Sequence, residues 1–126
     1  MATQKLTADL FEEIVTQSAL VLVDFWATWC GPCRSFGPIF EAASDKHPDI
    51  VFAKVDIDEN PSLAAGAGIS SVPTLMAFKE GALVYSQPGA LPGPALEDFI
   101  SQLRGLDMDH VRSHLERTDG EQEAMQ

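Results

Sequence analysis

The order of apolar and polar positions divides the chain into alternating helices and strands. Residues 7–18 carry Leu10, Phe11, Ile14 and Val15, and spacings of one, three and four put them on one helical face. Thr7 precedes this stretch as a candidate N-cap, and Asp9 falls in the first turn, where negative charge is favoured. The run Leu20-Val21-Leu22-Val23-Asp24-Phe25-Trp26 is short and rich in β-branched and aromatic residues, the pattern of a central strand covered on both faces. A helical pattern returns over residues 32–47, with Pro32 tolerable in the first turn and Pro38 an interior breaker that should kink the helix.

Residues 50–56 read as a second buried strand, and strand, helix, strand in that order gives a parallel pair with a right-handed crossover. A short Ala-rich helix runs from Pro61 to about Ala67. Beyond Pro73, strands at Thr74–Lys79 and Leu83–Ser86 flank a Lys79-Glu80-Gly81 turn and form a hairpin. A last helix from Pro94 sets Leu96, Phe99, Ile100 and Leu103 at helical spacing. After the first helix the order is therefore β-α-β-α-β-β-α, with no internal repeat.

The pattern weakens after Leu106. Residues 105–126 hold six acids, two arginines and a thin apolar stripe of Leu106, Met108, Val111 and Leu115. The expected division is a domain over residues 1–106 and an acidic extension over 107–126, adding a helical turn or two and then fraying from Thr118.

Composition adds limits. With 126 residues, 45% of them hydrophobic and 21% charged, the chain suits one globular domain that needs no staple to fold. A net charge of −11 repels nucleic acid and anionic membrane surfaces, so neither is an expected partner, and it favours a soluble monomer. Asp9, Glu12 and Glu13 interrupt the segment where a secretory signal needs an apolar run, and the expected location is cytoplasmic.

The chain has two cysteines, Cys30 and Cys33, and three readings compete for them. Zinc would need two further ligands, and the candidates are His110 and His114 on the extension, far from the cysteines in the chain. A structural bridge closing so short a loop would remove only about 2 kcal/mol of unfolded-state entropy. A reversible redox couple fits the spacing best, with one sulfur at the tip of a strand-to-helix loop and the other in the first helical turn. A helix N-terminus favours the Cys30 thiolate, which makes Cys30 the nucleophile and Cys33 the deeper, resolving thiol. Gly31 and Pro32 set the turn and bring no charge between the sulfurs, which argues for a reductant rather than an oxidase or isomerase.

Asp24 interrupts an apolar strand. An unpaired buried carboxylate there would titrate near neutrality and serve as a proton acceptor, whereas an ion pair with Lys54 would make it merely structural. Trp29 lies on the loop, where a surface role beside the thiol is expected, while Trp26 should pack against the base of the site. His47, near Pro48, is expected to be a solvated residue at a helix end.

The segment Val23-Asp24-Phe25-Trp26-Ala27-Thr28-Trp29-Cys30-Gly31-Pro32-Cys33 closely resembles the active-site strand and loop of thioredoxins. Pro38, Lys54, Asp56, Val72-Pro73-Thr74, Gly81 and Gly89 extend the resemblance over about residues 5–104. It implies an α/β thioredoxin fold, a central mixed sheet of four to five strands flanked by about four helices. It also implies a redox-active Cys30–Cys33 disulfide in a protein-disulfide reductase with no bound cofactor or metal. Electrons would come from NADPH through a thioredoxin reductase and go to disulfide-containing proteins. In this reading Asp24 takes the proton from Cys33 through water, Lys54 adjusts its charge, and the Val72-Pro73 bond is cis. Trp29, Val72, Pro73 and Gly89 then border the substrate groove. Two residues depart from the family pattern: Ala67 replaces a frequent aromatic, and Pro88 replaces a residue with an N–H. The competing reading is a binding module that holds a partner on the Trp29, Val72 and Gly89 surface with the thiols incidental.

Overall fold

A computed structural model of the chain describes residues 2–113. Its elements are β1 (Thr3–Lys5), α1 (Ala8–Gln17), β2 (Leu20–Trp26), α2 (Gly31–Lys46), β3 (Val51–Asp56), α3 (Pro61–Gly66), β4 (Thr74–Lys79), β5 (Ala82–Pro88) and α4 (Gly93–Arg104). The five strands form one mixed sheet in the order β1-β3-β2-β4-β5. β3 runs parallel to β1 and β2, and β4 runs antiparallel to β2 and β5. The expected mixed sheet is therefore present with five strands. None of the described helices is long and apolar enough to cross a membrane.

Alternation along β2 divides the core. Leu20 and Leu22 join Phe36, Phe40, Phe52, Leu96 and Ile100 beneath α2 and α4, while Val21, Val23 and Phe25 face the side where Phe11, Ile14, Val15 and Leu63 of α1 and α3 pack. Successive strand residues point to opposite faces, so Asp24 and Trp26 continue the Leu20–Leu22 face toward α2. Lys54 follows Phe52 to the same face, and Asp24 and Lys54 are direct partners in the β2–β3 register. The strand pattern thus brings a carboxylate and an ammonium group together under α2.

Several expectations change. β1 has no counterpart in the sequence reading, because Thr-Gln-Lys carries no apolar run and becomes a strand only by pairing with Phe52–Lys54 of β3. Leu10 does not join its helix's buried face but is 48% exposed; Phe11, Ile14 and Val15 alone seat α1. Thr7 occupies the N-cap position without a side-chain capping hydrogen bond. α2 keeps the expected Pro38 in its interior. At its end His47 is not solvated: Nε2 lies 2.7 Å from the Glu97 carboxylate and Nδ1 accepts from Arg104 at 3.0 Å. Arg104 also grips Asp49 and holds that carboxyl down at about 2. The missed signal was tertiary, since Glu97 and Arg104 reach His47 from α4.

The β4–β5 hairpin turns at Glu80-Gly81, both with positive φ (51° and 82°), as a two-residue turn matched to strand twist requires. Lys79, at the end of β4, points its ammonium at the C-terminus of α4 and donates to the carbonyls of Leu103, Arg104 and Leu106 at 2.8–3.0 Å. Carbonyls at a helix C-terminus are short of intrahelical donors and sit at the negative end of the helix dipole. Lys79→Met is therefore expected to lower stability by about 1–2 kcal/mol, read as a shift in the urea midpoint at unchanged m.

Residues 108–113 are helical, Asp107 accepting from the backbone N–H groups of Asp109 and His110. Met108 is buried, and Arg112 approaches Glu80 of the hairpin turn at 3.6 Å. The beginning of the acidic extension thus lies against the domain; His114, Leu115 and the stretch from Thr118 fall outside the described residues.

Candidate active site

The cysteines stand where β2 hands over to α2. Cys30 is the N-cap of α2, in extended conformation, and its sulfur accepts from the Cys33 backbone N–H at 3.2 Å. This is the geometry anticipated for a helix terminus that favours negative charge on Cys30. The two sulfurs are joined in a disulfide. No group of three metal-ligating side chains occurs among the described residues.

One expectation fails. Cys33 does not lie deeper than Cys30, since the two are 5% and 4% exposed. The cause is the segment before β4: the Val72 carbonyl oxygen sits 3.5 Å from the Cys30 sulfur and Val72 packs on the cysteine pair with Trp26 and Ile57. Cys30 is thus covered from the Val72 side.

The Val72-Pro73 bond is cis, as the resemblance implied. Pro73 is tied to Gly89, whose N–H donates to the Pro73 carbonyl at 2.8 Å. Gly89 has φ 109°, a conformation L side chains rarely adopt, yet a Cβ there would meet no neighbour. Its glycine requirement within the chain is thus one of backbone conformation. Pro88 ends β5 opposite Thr74, beside this junction. Ala67 caps α3 and packs on the core of the α1 face.

Trp29 is 64% exposed beside Cys30, and its indole N–H donates to Asp58 at 3.0 Å. Asp58 is itself fixed through its backbone N–H to the Asp56 carboxylate. Asp58 was not singled out in the sequence, where it looks like any polar residue after a strand; only the register brings its turn beneath the indole. Arg34 donates to the Thr28 carbonyl at 3.1 Å and steadies the loop from the helix side.

Asp24 is fully buried, and neither carboxylate oxygen has a hydrogen-bond partner. Burial pushes its carboxyl up to about 7, against the opposing pull of the Lys54 ammonium. The structural ion-pair reading does not hold: Lys54 acts on Asp24 through space, while its ammonium lies 5.0 Å from the centre of the Trp26 ring. A cleft of about 670 Å³ is bounded by Trp26, Cys33, Gly37, Glu41 and Lys54 among others. Cys30, Cys33, Asp24 and Lys54 are therefore gathered at one end of the sheet, with Trp29, Val72, Pro73 and Gly89 arranged around the cysteine pair.

Chemically, the site combines a sulfur at a helix N-terminus, a second sulfur within bonding reach, and a carboxyl that titrates near neutrality. That is a donor and acceptor of electron pairs between sulfurs, with a base for the protons that accompany them.

The family model described as Thioredoxin matches residues 2–102. A Streptomyces coelicolor protein described as a thioredoxin is 54% identical over 111 residues, covering 88% of this chain and 83% of that one. Among solved structures, Plasmodium falciparum thioredoxin superposes with a TM-score of 0.74 at 37% identity, over 79% of this chain and 98% of that one. A chain from a study of thiol resolution in yeast mitochondrial 1-Cys peroxiredoxin by the glutathione and thioredoxin systems gives 0.74 at 33% identity, over 80% and 95%.

Proposed function

The chain belongs to the thioredoxin family, and we propose that Cys30 is its attacking nucleophile, Cys33 its resolving thiol and Asp24 the acceptor of the Cys33 proton. It is a thiol-disulfide oxidoreductase that reduces disulfides in proteins. The observation that carries the assignment of roles is the buried Asp24 carboxyl, unpartnered and titrating near 7, in the strand that leads into the Cys30–Cys33 loop.

In the reduced protein the Cys30 thiolate attacks one sulfur of a substrate disulfide, and the other substrate sulfur leaves as a thiolate. Asp24 then takes the Cys33 proton, and the Cys33 thiolate attacks the Cys30 sulfur. The second substrate thiolate departs, two electrons have passed to the substrate, and Cys30–Cys33 is oxidised. The N-terminus of α2 stabilises charge on Cys30 at each stage where it is the attacking or leaving group. Gly31 and Pro32 occupy the first turn between the sulfurs and leave it uncharged.

Trp29, Val72, Pro73 and Gly89 form the docking border for the substrate. The Val72 backbone pairs with an extended substrate segment, a mode in which main-chain hydrogen bonds supply affinity. Lys54 keeps the Asp24 carboxyl from rising further. Return to the dithiol form requires a reductant, in this reading a flavoprotein thioredoxin reductase drawing on NADPH, with the chain itself a cytoplasmic monomer. Residues 1–106 form the catalytic domain and 107–126 an appended acidic segment.

Cys33→Ser incubated with a disulfide-containing protein is expected to accumulate a covalent adduct through Cys30, visible on a non-reducing gel and dispersed by dithiothreitol. Cys30→Ser should form no adduct and show no turnover. Equal, negligible turnover of wild type and Cys30→Ser would instead favour a binding module.

A further inference from the structure

Charge is distributed unevenly along the chain. Charged residues make up 21% of it, yet no Asp, Glu, Lys, Arg or His occurs from Asn60 to Phe78 or from Gly81 to Leu96. These two stretches supply α3, Val72, β4 up to Phe78, all of β5, and Gly89. Lys79 and Glu80, which separate them, lie at the hairpin turn that ends β4. The sheet gathers the uncharged stretches beside the cysteines. Phe25 pairs with Thr74, and Thr74 with Pro88, so the end of β2, the start of β4 and the end of β5 share one end of the sheet. On the segments flanking this junction Ser70, Ser71, Pro88, Gly89 and Ala90 are exposed, and Val72 packs on the cysteine pair.

The other flank of Cys30 is charged. Trp26 pairs with Asp56, so β3 ends at the same level and delivers Asp56, Asp58 and Glu59. All three are engaged within the chain. The Asp56 carboxylate accepts from the backbone N–H groups of Asp58 and Glu59, Asp58 accepts from the Trp29 indole, and Glu59 pairs with Lys5. Cys30 thus stands on the boundary between a charged flank and an uncharged one. A charged side chain laid on the uncharged flank loses water and finds no counter-ion in either stretch, whatever its sign. A neutral segment escapes that cost and still pairs with the Val72 backbone.

We propose that the β4–β5 flank of Cys30 is a charge-excluding docking surface, which selects protein disulfides whose neighbouring residues are uncharged. This rests on Val72 and Gly89 as the docking border for the substrate. The selection runs against the overall charge of −11, which by itself favours cationic substrates and disfavours anionic ones. Desolvation at the surface penalises both signs, and unlike the long-range field it is not removed by salt.

The test uses three end-capped peptides, Val-Ser-Cys-Ser-Val and its counterparts with Glu or Lys in place of both serines, each as its disulfide-linked dimer. Reduced protein is mixed with each, quenched in acid, and the released peptide thiol is measured by chromatography. Dividing each rate by that for dithiothreitol under the same conditions removes the intrinsic reactivity of the disulfide. The serine peptide is expected to be reduced about tenfold faster than either charged one, in about 0.05 M and about 0.5 M sodium chloride alike. A charged peptide of either sign that matches the serine peptide overturns the proposal, and so does a preference that vanishes at high salt. Ser71→Glu, which puts a carboxylate next to Val72 in the chain, is expected to speed the lysine peptide and slow the glutamate peptide about threefold. If it alters none of the three rates, substrates do not dock on this flank, and the docking border falls together with the proposal. If it alters them while the wild type does not discriminate, the proposal alone falls.

Discussion

Asp24→Asn is expected to raise the stability of the oxidised protein by about 3–4 kcal/mol at pH 8 and by almost nothing at pH 3. The folded carboxyl titrates at about 7, against 3.8 for the unperturbed group, because burial disfavours its charged form more than Lys54 restores it. Below about pH 3.8 both folded and unfolded states hold the proton, and the substitution changes little. Between 3.8 and 7 the unfolded chain has released the proton while the folded one retains it, so wild-type stability falls as pH rises. Above 7 the penalty is complete and constant. Asn resembles the neutral acid and escapes the penalty, so its advantage should grow through that window and then level off. Urea unfolding at pH 3, 5.5 and 8 measures this directly; a gain of equal size at all three would rule out ionisation as its origin.

The same substitution is expected to cost function. With Asp24 as the base, resolution should accelerate as pH rises through about 7. In Asp24→Asn that rise should disappear and the step should slow about tenfold or more near neutrality, since Cys33 must then lose its proton unaided. A gain in stability paired with a loss in rate is the signature of a group buried for chemistry rather than for packing.

Phe40→Ala is expected to lower stability by about 3–5 kcal/mol, as for other large-to-small changes at buried aromatic positions. Phe40 is completely buried, and its ring contacts Phe36 at 5.7 Å and Phe52 at 5.2 Å between centroids. These rings join α2 to β3 and so hold Gly37 against the Lys54 ammonium. The loss should appear in the urea midpoint, and a smaller loss would show that the neighbouring rings collapse into the space. Because α2 carries Cys30 at its N-cap and Cys33 in its first turn, the variant should also resolve more slowly at temperatures where it remains folded.

The legible parts of this molecule were those written in local pattern. β2 announced itself by six apolar or aromatic positions interrupted once, by Asp24. The α2 pattern located the cysteines at a helix start, and Glu80-Gly81 identified the hairpin turn. β1 and the His47–Glu97–Arg104 cluster were not legible, because each depends on partners fifty or so residues away. Leu10 was misread for a related reason: periodicity says which residues share a face, but the element packed opposite decides how much of that face is covered.

By itself the sequence determined the order of elements from the first helix onward, the redox character of the cysteine pair and the presence of a carboxyl in the central strand. All three rest on residue type and spacing, which the backbone translates into local geometry without outside help. Tertiary structure alone decided that Val72 packs on Cys30 and leaves it as buried as Cys33, that Lys54 stands in the gap left by Gly37, and that Thr3 reaches Glu41. Those contacts come from strand register and from helices laid across the sheet, where segments distant in the chain meet and where the energy of burying a charge is set.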